Sequence, residues 1–320
     1  MEYSFQEVSL KDLKNTFIRN DKNISHKLEE NYIDFKKEYF KNTNFENFSF
    51  KIKNLDNEII CPLTLQKDNE KKFNFFGDEV QVFYLKDLSN ELNSILKEVL
   101  KNILKTNKVK NIKFKIKVYN PIKPNIEDSV ELVKNEIFVD LSKSEKDMLL
   151  SFKPNLRNEI KKENENVSYQ IINSDNYLKD EMFRMKDMHE LVSGKKTRSH
   201  ASWEINEKML KNKNALMVKV NQNNTTISYS LFYYNKITCS YFSSCSLREY
   251  FKQIRNIQHK TIFNVAKYMQ NKSKYLYLGS STEYSKTDID PKVANIEKFK
   301  SKFSKKKNFF KIYNKIPDKF

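Results

Sequence analysis

The order of secondary-structure elements in the last two thirds of the chain constrains the fold more than any single motif does. From residue 136 onward, the spacing of apolar residues predicts a strand, several helices, three successive strands, one long helix and a further short strand. Asn221-Gln222-Asn223-Asn224 and Asn235-Lys236 separate the three strands and consist of residues that favour chain reversals. This order predicts a mixed β-sheet with helices on its faces, an α+β fold.

Local signals set the bounds of these elements. Ser142 and Glu145 form a capping box, which predicts that a helix begins there, and Pro154 interrupts that helix because proline lacks a backbone N–H. Gly279 predicts the end of the last short strand. The predicted strands cover residues 137–141, 167–172, 215–220, 226–234, 237–244 and 275–278, and the further helices cover 178–192, 203–210 and 257–269.

The first part of the chain shows similar elements in a similar order. A helix is predicted over 28–39, and a long amphipathic helix over 88–104 precedes an alternating strand over 112–118. Further short strands are predicted over 48–52, 58–65, 73–76 and 80–85. Because the order repeats, and because two prolines interrupt residues 120–128, we predict two similar domains, residues 1–124 and 125–320.

The charge of the chain indicates anionic partners. Its 59 Lys and Arg against 41 Asp and Glu give a net charge of +18, which favours nucleic acid, an anionic membrane surface or phosphate-bearing ligands. Basic and acidic residues alternate through most of the sequence. Between Lys298 and Lys319, however, nine lysines face the single Asp318, so a basic C-terminal segment is predicted.

Several classes of protein are disfavoured. Cys61, Cys239 and Cys245 lack both framework and C-x-x-C spacing, which predicts buried thiols rather than disulfides or zinc ligands. Asp288 and Asp290 have no partner at ligand spacing, so no metal site is predicted. No leader peptide and no run of about 18 apolar residues is evident, so we expect a cytoplasmic protein without a transmembrane segment.

Five segments between residues 136 and 305 form a more specific pattern. They are Phe138 to Glu145, Phe152 to Lys162 with its Arg-x-x-Ile-Lys-Lys patch, Met188-His189, Tyr275 to Ser280, and Ile296 to Phe303 with its Phe-Lys-x-x-Phe signature. Together they resemble the Fem-type branch of the GNAT-fold acyltransferase superfamily, which includes acyltransferases of polysaccharide synthesis. Cys61-Pro62-Leu63 and Phe75-Phe76-Gly77 are similar to the N-terminal domain of that branch.

The resemblance implies two tandem GNAT-like domains and an N-acyltransferase. The reaction would transfer an acyl or aminoacyl group to an amine on a cell-envelope or glycan precursor, such as a sugar nucleotide or a peptidoglycan-type precursor. No tightly bound cofactor is implied; the donor co-substrate would be acyl-CoA or aminoacyl-tRNA. Residues 246–258 contain no glycine for a pyrophosphate-binding loop, which favours aminoacyl-tRNA without excluding acyl-CoA.

The same resemblance directs the choice of catalytic residues. In this fold the central strands part just before the long helix, near Ser243, where a backbone N–H is expected to stabilise the oxyanion. His189 is a candidate general base, because imidazole titrates near neutrality, although it also completes an apolar helical stripe. Tyr241 is a candidate acid for the leaving group.

Cationic and polar residues supply candidates for binding. Those for the substrate are Arg157, Lys161, Lys162, Arg198 and Tyr229, and those for the donor are Ser244, Arg248 and Arg255. A solvated charged helix face is the commoner explanation for a run such as the first three. The alternative function is a non-catalytic RNA-binding or membrane-surface-binding protein, for which tRNA and peripheral membrane contact are the corresponding partners.

Overall fold

The computed structural model describes residues 4–13, 30–40, 44–53, 58–61, 63–67, 72–74, 80–84, 90–108, 113–118, 130–251, 253–254, 256–304 and 310–315. The strands are β1 (Ser4–Glu7), β2 (Asn44–Asn47), β3 (Phe50–Lys53), β4 (Glu58–Cys61), β5 (Thr64–Lys67), β6 (Lys72–Asn74), β7 (Val80–Tyr84), β8 (Lys113–Val118), β9 (Val130–Asp140), β10 (Val167–Ile172), β11 (Ala215–Gln222), β12 (Thr225–Tyr234), β13 (Thr238–Ser246), β14 (Tyr275–Ser285) and β15 (Phe310–Lys315). The helices are α1 (Glu30–Tyr39), α2 (Asn90–Thr106), α3 (Glu145–Ser151), α4 (Pro154–Lys161), α5 (Glu181–Ser193), α6 (His200–Lys211), α7 (Arg248–Phe251), α8 (Ile257–Met269) and α9 (Pro291–Lys300).

Twelve of these strands form one mixed sheet, in the order β1-β3-β4-β7-β8-β15-β9-β14-β13-β12-β11-β10. The pairs β7–β8 and β13–β14 are parallel, and the other pairs of this sheet are antiparallel. Each parallel pair is connected through a helix, α2 in one case and α8 in the other, as parallel neighbours require. The predicted repeat of element order is therefore visible as two strand-helix-strand units, and the predicted mixed sheet flanked by helices is confirmed.

The last strand of the chain joins the two parts of this sheet. Strand β15 pairs with β8 on one side, where Phe310 faces Val118, and with β9 on the other, where Phe310 faces Asn135. Part of the predicted basic C-terminal segment is therefore a central strand rather than a free tail. The predicted division at residues 124/125 lies outside the described residues, so the two-domain boundary stays a prediction.

Each face of the sheet carries its own apolar core. Helices α3, α4 and α8 and the 3₁₀ turn Ser301–Phe303 cover one face, called here the α8 face. Helices α5 and α6 cover the other, called here the α6 face, and α1 from the first part of the chain packs there too. The ring of Phe35 in α1 lies 5.5 Å from Phe242 in an edge-on contact. None of the described helices combines the length and the hydropathy that a bilayer crossing requires.

Most predicted elements are found, and the differences have local causes. The helix after β9 begins at Glu145 with Ser144, not Ser142, as its N-cap, because Asp140 accepts hydrogen bonds from Ser142. Leu178, placed on the buried stripe of a helix, is 68% exposed and precedes α5. The single strand predicted over 58–65 is two strands in two sheets, separated in sequence by Pro62, which cannot donate a ladder hydrogen bond.

The prediction that Gly279 ends a short strand is wrong. Strand β14 continues to Ser285 and pairs with β9 along most of that length. Gly279 has a φ of +103°, and the pairing shifts by one residue between Tyr277 and Gly279. Glycine tolerates this backbone conformation at little cost, so the residue forms a bulge inside the strand instead of a stop.

We expect the C-terminal 3₁₀ turn to stabilise the whole fold. Phe303 is fully buried, and its ring lies 5.3 Å from that of Phe152. Phe303→Ala should lower the free energy of unfolding by about 3–5 kcal/mol. Val293→Ala on α9, where the side chain is 41% exposed, should cost less than about 0.5 kcal/mol. Urea unfolding followed by the fluorescence of Trp203, the single tryptophan, measures both; equal losses would show that this turn does not anchor the core.

Candidate active site

The two parallel strands at the centre of the second strand-helix-strand unit part from each other after three residues. Strand β13 pairs with β14 only through Thr238–Tyr275, Cys239–Leu276 and Ser240–Tyr277. Beyond these positions β13 stays paired with β12, and β14 stays paired with β9. The opening between the strands, called here the splay, exposes backbone N–H and C=O groups of β13 that have no ladder partner on that side.

A bulge in β13 lies where the splay begins. Leu231 of β12 faces Ser243, whereas the next residue, Phe232, faces Tyr241, so Phe242 is an extra residue in β13. A bulge reverses the strict alternation of side chains along a strand. Phe242 and Ser243 therefore both point to the α6 face, whereas Tyr241 and Ser244 point to the α8 face.

On the α6 face, Arg198 lies against this bulge. Its guanidinium carbon is 5.0 Å from the ring centre of Phe242 and 5.2 Å from that of Trp203, and Nη2 donates to Ser243 Oγ at 3.3 Å. Burial lowers the pKa of Arg198, yet an arginine remains charged at neutral pH. The ion pairs of the described residues include none to Arg198, so its charge faces aromatic rings and a hydroxyl.

Three N–H donors on the α6 face are buried without an acceptor among the described residues, one of them on Arg198 itself. Among the described residues, Arg198 Nη1, Trp203 Nε1 and Asn206 Nδ2 have no hydrogen-bond partner. Asn206 is held by Tyr233, whose hydroxyl donates to its side-chain oxygen at 2.6 Å. Buried donors without acceptors are rare and costly, and a cluster of them around a cation fits an anionic ligand. We call these three residues the donor cluster.

His189 borders the donor cluster. Its ring lies edge-on to Trp203 at 5.8 Å, and Nδ1 is 3.1 Å from Thr197 Oγ1. Burial, and secondly the charge of Arg198, lower the pKa of His189 below its usual value. The imidazole is therefore neutral at pH 7 and able to accept a proton.

On the α8 face, a polar network connects β12 and β13 to the first turn of α8. Gln258 Nε2 donates to Ser228 Oγ at 2.9 Å and Ser246 Oγ at 3.1 Å, and its side-chain oxygen accepts from Ser230 Oγ at 3.1 Å. Tyr241 OH lies 2.5 Å from the hydroxyl of Ser244, and burial raises the pKa of Tyr241 to about 12. The phenol therefore keeps its proton at pH 7 and can donate it.

Lys300 approaches the backbone of β14 beside the splay. A Cβ at Gly279 would lie 2.7 Å from Lys300 Nζ, so a larger residue here would require the lysine amine to move. Gly279 is two residues beyond Tyr277, the last β14 residue that pairs with β13. Glu297, one helical turn earlier, binds Lys134 at 2.9 Å and accepts from the Thr282 N–H at 2.9 Å, which fixes α9 against β14 and β9.

The candidate site residues thus divide between the two faces. His189, Arg198 and Ser243 come together on the α6 face, and Tyr241 and Ser244 on the α8 face. Tyr229 is buried on the α6 face, where it donates to Glu181 at 3.0 Å beside the Lys219–Glu181 ion pair. Arg157, Lys161 and Lys162 lie at α4 over the α8 face. Arg248 Nη2 donates to Val192 O at 3.2 Å. Arg255 lies outside the described residues.

Several residues of this site, among them Trp203, Asn206, Gln258 and Lys300, had no role in the sequence analysis. The sequence places Trp203 and Gln258 only within predicted helices, and Lys300 only within the Phe-Lys-x-x-Phe signature. In the structure, the two phenylalanines of that signature pack around buried His259. The positive φ of Gly279 and the bulge at Phe242 bring these site residues to the splay, and neither leaves a periodic signal.

Comparison with known proteins supports the fold. No protein-family model matches the sequence, and no curated protein matches it. Among solved structures, FemX matches with a TM-score of 0.59 and 13% identity over 97% of each chain. A tandem GNAT protein from the clavulanic acid biosynthesis pathway matches with a TM-score of 0.52 and 7% identity over 99% of each chain.

L-PGS from Bacillus licheniformis also matches, with a TM-score of 0.52 and 11% identity over 98% of this chain and 94% of that one. These proteins share the arrangement of elements along nearly the whole chain, so the protein has a GNAT-like fold. At 7–13% identity the likeness concerns the fold alone.

We expect the pKa of His189 to respond to Arg198. Arg198→Gln removes a nearby positive charge that disfavours imidazolium, so the pKa of His189 should rise towards 6.5. Imidazole titration by NMR measures the change. His259, on the opposite face, is the internal control and should titrate as in the unmodified protein. An unchanged His189 pKa would show that the guanidinium does not face this imidazole.

Proposed function

We propose that this protein is an acyltransferase that transfers an acyl or aminoacyl group to an amine, with the reacting carbonyl bound in the splay. The observation that carries the proposal is the parting of β13 and β14 after Ser240, on the strand that precedes α7 and the long helix α8. A carbonyl placed there could accept hydrogen bonds from β13 N–H groups beyond the three residue pairs that β13 makes with β14. The GNAT-like fold shared with FemX, a tandem GNAT protein and L-PGS supports this reaction class.

Lys300 contributes charge at the same place. When an amine attacks an acyl carbonyl, the oxygen becomes an alkoxide, and a cation beside it stabilises the transition state more than the ground state. Lys300 Nζ lies against the backbone of Gly279, next to the splay. We assign it the role of stabilising this oxyanion together with the N–H edge of β13.

The two faces then have different tasks. The acceptor amine enters from the α6 face and attacks the carbonyl carbon, and neutral His189 takes the proton that the amine nitrogen loses. The bond to the leaving oxygen or sulfur of the donor breaks, and this atom receives the proton of Tyr241 on the α8 face. The amide forms as the ester or thioester is cleaved; His189 then releases its proton to solvent and Tyr241 takes one up from solvent, so the net reaction consumes only donor and acceptor.

The donor cluster suggests which acceptors fit. Arg198 with two further N–H donors matches a phosphate or a carboxylate on the acceptor. We therefore propose an amine on a cell-envelope or glycan precursor that carries such a group, in particular a nucleotide-linked one. The sequence predicts that Arg157, Lys161 and Lys162 bind the substrate; because they lie over the face opposite to Arg198, we assign them instead to phosphates of the donor, acyl-CoA or aminoacyl-tRNA.

Product formation tests the reaction class. The purified protein is incubated with acyl-CoA or with charged tRNA and with amine-bearing nucleotide precursors, and new amides are detected by mass spectrometry. Lys300→Met should lower kcat by about 100-fold. Gly279→Ala should lower it too, because the new Cβ displaces Lys300 Nζ. Val293→Ala on α9 is the control and should leave kcat unchanged.

Stability measurements with acyl-CoA and with charged tRNA distinguish the two candidate donors. A donor at about 100 times its dissociation constant should raise the free energy of unfolding by about 2.7 kcal/mol. Binding of neither donor, together with no amide product, would contradict the proposed function. Product formation that is unaffected by Lys300→Met would leave the reaction class standing and remove Lys300 from the mechanism.

The Michaelis constants of donor and acceptor should show which face of the sheet binds which substrate. Arg198→Gln removes a contact to an anionic group, worth about 1.5–3 kcal/mol, and should raise the KM of the acceptor about tenfold or more. The double change Arg157→Ala and Lys161→Ala should raise the KM of the donor instead. Circular dichroism should show both variants folded. The opposite pattern of KM changes would reverse the assignment of the faces.

The charge of the chain also motivated a non-catalytic binding function. Within the basic C-terminal segment, Lys302 lies 3.5 Å from Glu159, and Lys311 and Lys315 belong to central strand β15. The segment is thus partly built into the fold, which favours the enzyme over a free basic tail. Tight binding of unrelated RNA at physiological salt, unaffected by Arg198→Gln, would favour the binding function.

A further inference from the structure

A pocket far from the splay lies at the opposite end of the sheet. Its volume is about 430 Å³, and the described residues that line it are Phe5, Glu7, Phe48, Val99, Asn102, Ile103, Thr106 and Asn107. Strand β1, at the edge of the sheet, is seven strand positions from β14. At about 4.8 Å per position the pocket is roughly 30 Å from the splay. It is therefore a separate site.

The pocket is built by strand alternation and helical spacing. Phe5 and Glu7 are two residues apart in β1, so their side chains lie on the same face of the sheet. Val99, Ile103 and Thr106 recur at helical spacing in α2 and form the opposite wall. These two walls meet as a groove that combines apolar and polar side chains.

Hydrogen bonds fix the third wall. Asn47 Nδ2 donates to Val8 O at 3.0 Å, and its side-chain oxygen accepts from Ser49 Oγ at 2.6 Å. Phe48, between these residues, donates its backbone N–H to Leu63 O at 2.7 Å. The ring of Phe48 is thus held beside β1 by a fixed backbone. On the α2 side, Asn107 Nδ2 donates to Ile103 O at 2.9 Å and closes the end of that helix.

The charge of the pocket is opposite to that of the chain. Glu7 is the one carboxylate among the described lining residues, and none of them is Lys or Arg, whereas the whole chain carries a net charge of +18. Phe5 is 49% exposed, so its ring is accessible to a ligand. A carboxylate next to aromatic rings attracts organic cations through charge-assisted hydrogen bonding and cation–π contacts.

We propose that this pocket binds an organic ammonium group attached to an apolar body. The ammonium would bind Glu7 and contact the rings of Phe5 and Phe48. The apolar body would pack on Val99 and Ile103, with Asn102 and Thr106 available for polar substituents. The site is independent of acyl transfer, since none of its residues belongs to the splay or to the donor cluster.

A set of probes that differ mainly in charge tests the proposal. Full-length protein is titrated with 2-phenylethylamine, 2-phenylethanol and 3-phenylpropionate and followed by calorimetry and ligand-observed NMR. The amine should bind at least about tenfold more tightly than the alcohol, and the carboxylate should not bind. Glu7→Gln should abolish the preference for the amine, and Phe5→Ala should weaken amine binding severalfold.

Glu98→Gln is the matched control, because Glu98 is exposed on α2 but does not line the pocket. It should leave the affinity for the amine unchanged. Circular dichroism shows whether each variant is folded. Equal binding of amine and alcohol, an unaltered affinity after Glu7→Gln, or no binding of the amine up to about 10 mM would each overturn the proposal. None of these outcomes depends on acyltransferase activity.

Discussion

The parting of β13 from β14 is the constraint on which the rest of the second half depends. Two parallel strands that separate inside a protein leave backbone groups without ladder partners, and such groups are costly unless something binds them. The bulge at Phe242 turns β13 away, and the bulge at Gly279 lets β14 follow β9. Gln258 at the start of α8 then binds Ser246 in the separated part of β13, and it also binds Ser228 and Ser230 of the neighbouring strand β12. The splay is therefore a built feature with dedicated supports on each strand.

The cost of unsatisfied hydrogen-bond donors also applies to the donor cluster on the α6 face. Within the part of the chain that the structure describes, Arg198 has no carboxylate partner and Trp203 Nε1 and Asn206 Nδ2 have no acceptor, and such unmet donors reduce stability. Phe35 of α1 packs on Phe242, and Glu38 accepts from Ser199 Oγ at 3.0 Å beside Arg198. The first part of the chain thus encloses this cluster and strengthens the electrostatic interaction of any anion bound there.

Much of the fold could be predicted from the sequence because its signals are local. Residue spacing and turn residues predict the three successive strands β11 to β13, the long helix α8 and the alternating strand β8. The arrangement of the site could not. Strict alternation places Tyr241 and Ser243 on one face, and the bulge at Phe242 separates them. In the sequence, Gly279 indicates the end of a strand. Its positive φ, which is typical of a bulge, is visible only in the folded sheet. The packing of α1 on the α6 face depends on residues distant in sequence.

The division of charged groups between the two faces has a chemical consequence for the proposed reaction. Donor and acceptor would both carry phosphate or carboxylate groups, and two such anions repel each other strongly within a Debye length of about 8 Å. Arg198 lies on the α6 face and the α4 cations lie over the α8 face, with the sheet between them. Each anion then has its own cationic partner, and only the amine and the carbonyl meet, at the splay beside Lys300. A site with all of its cations on one face would have to bring the two anions together before the amine could attack.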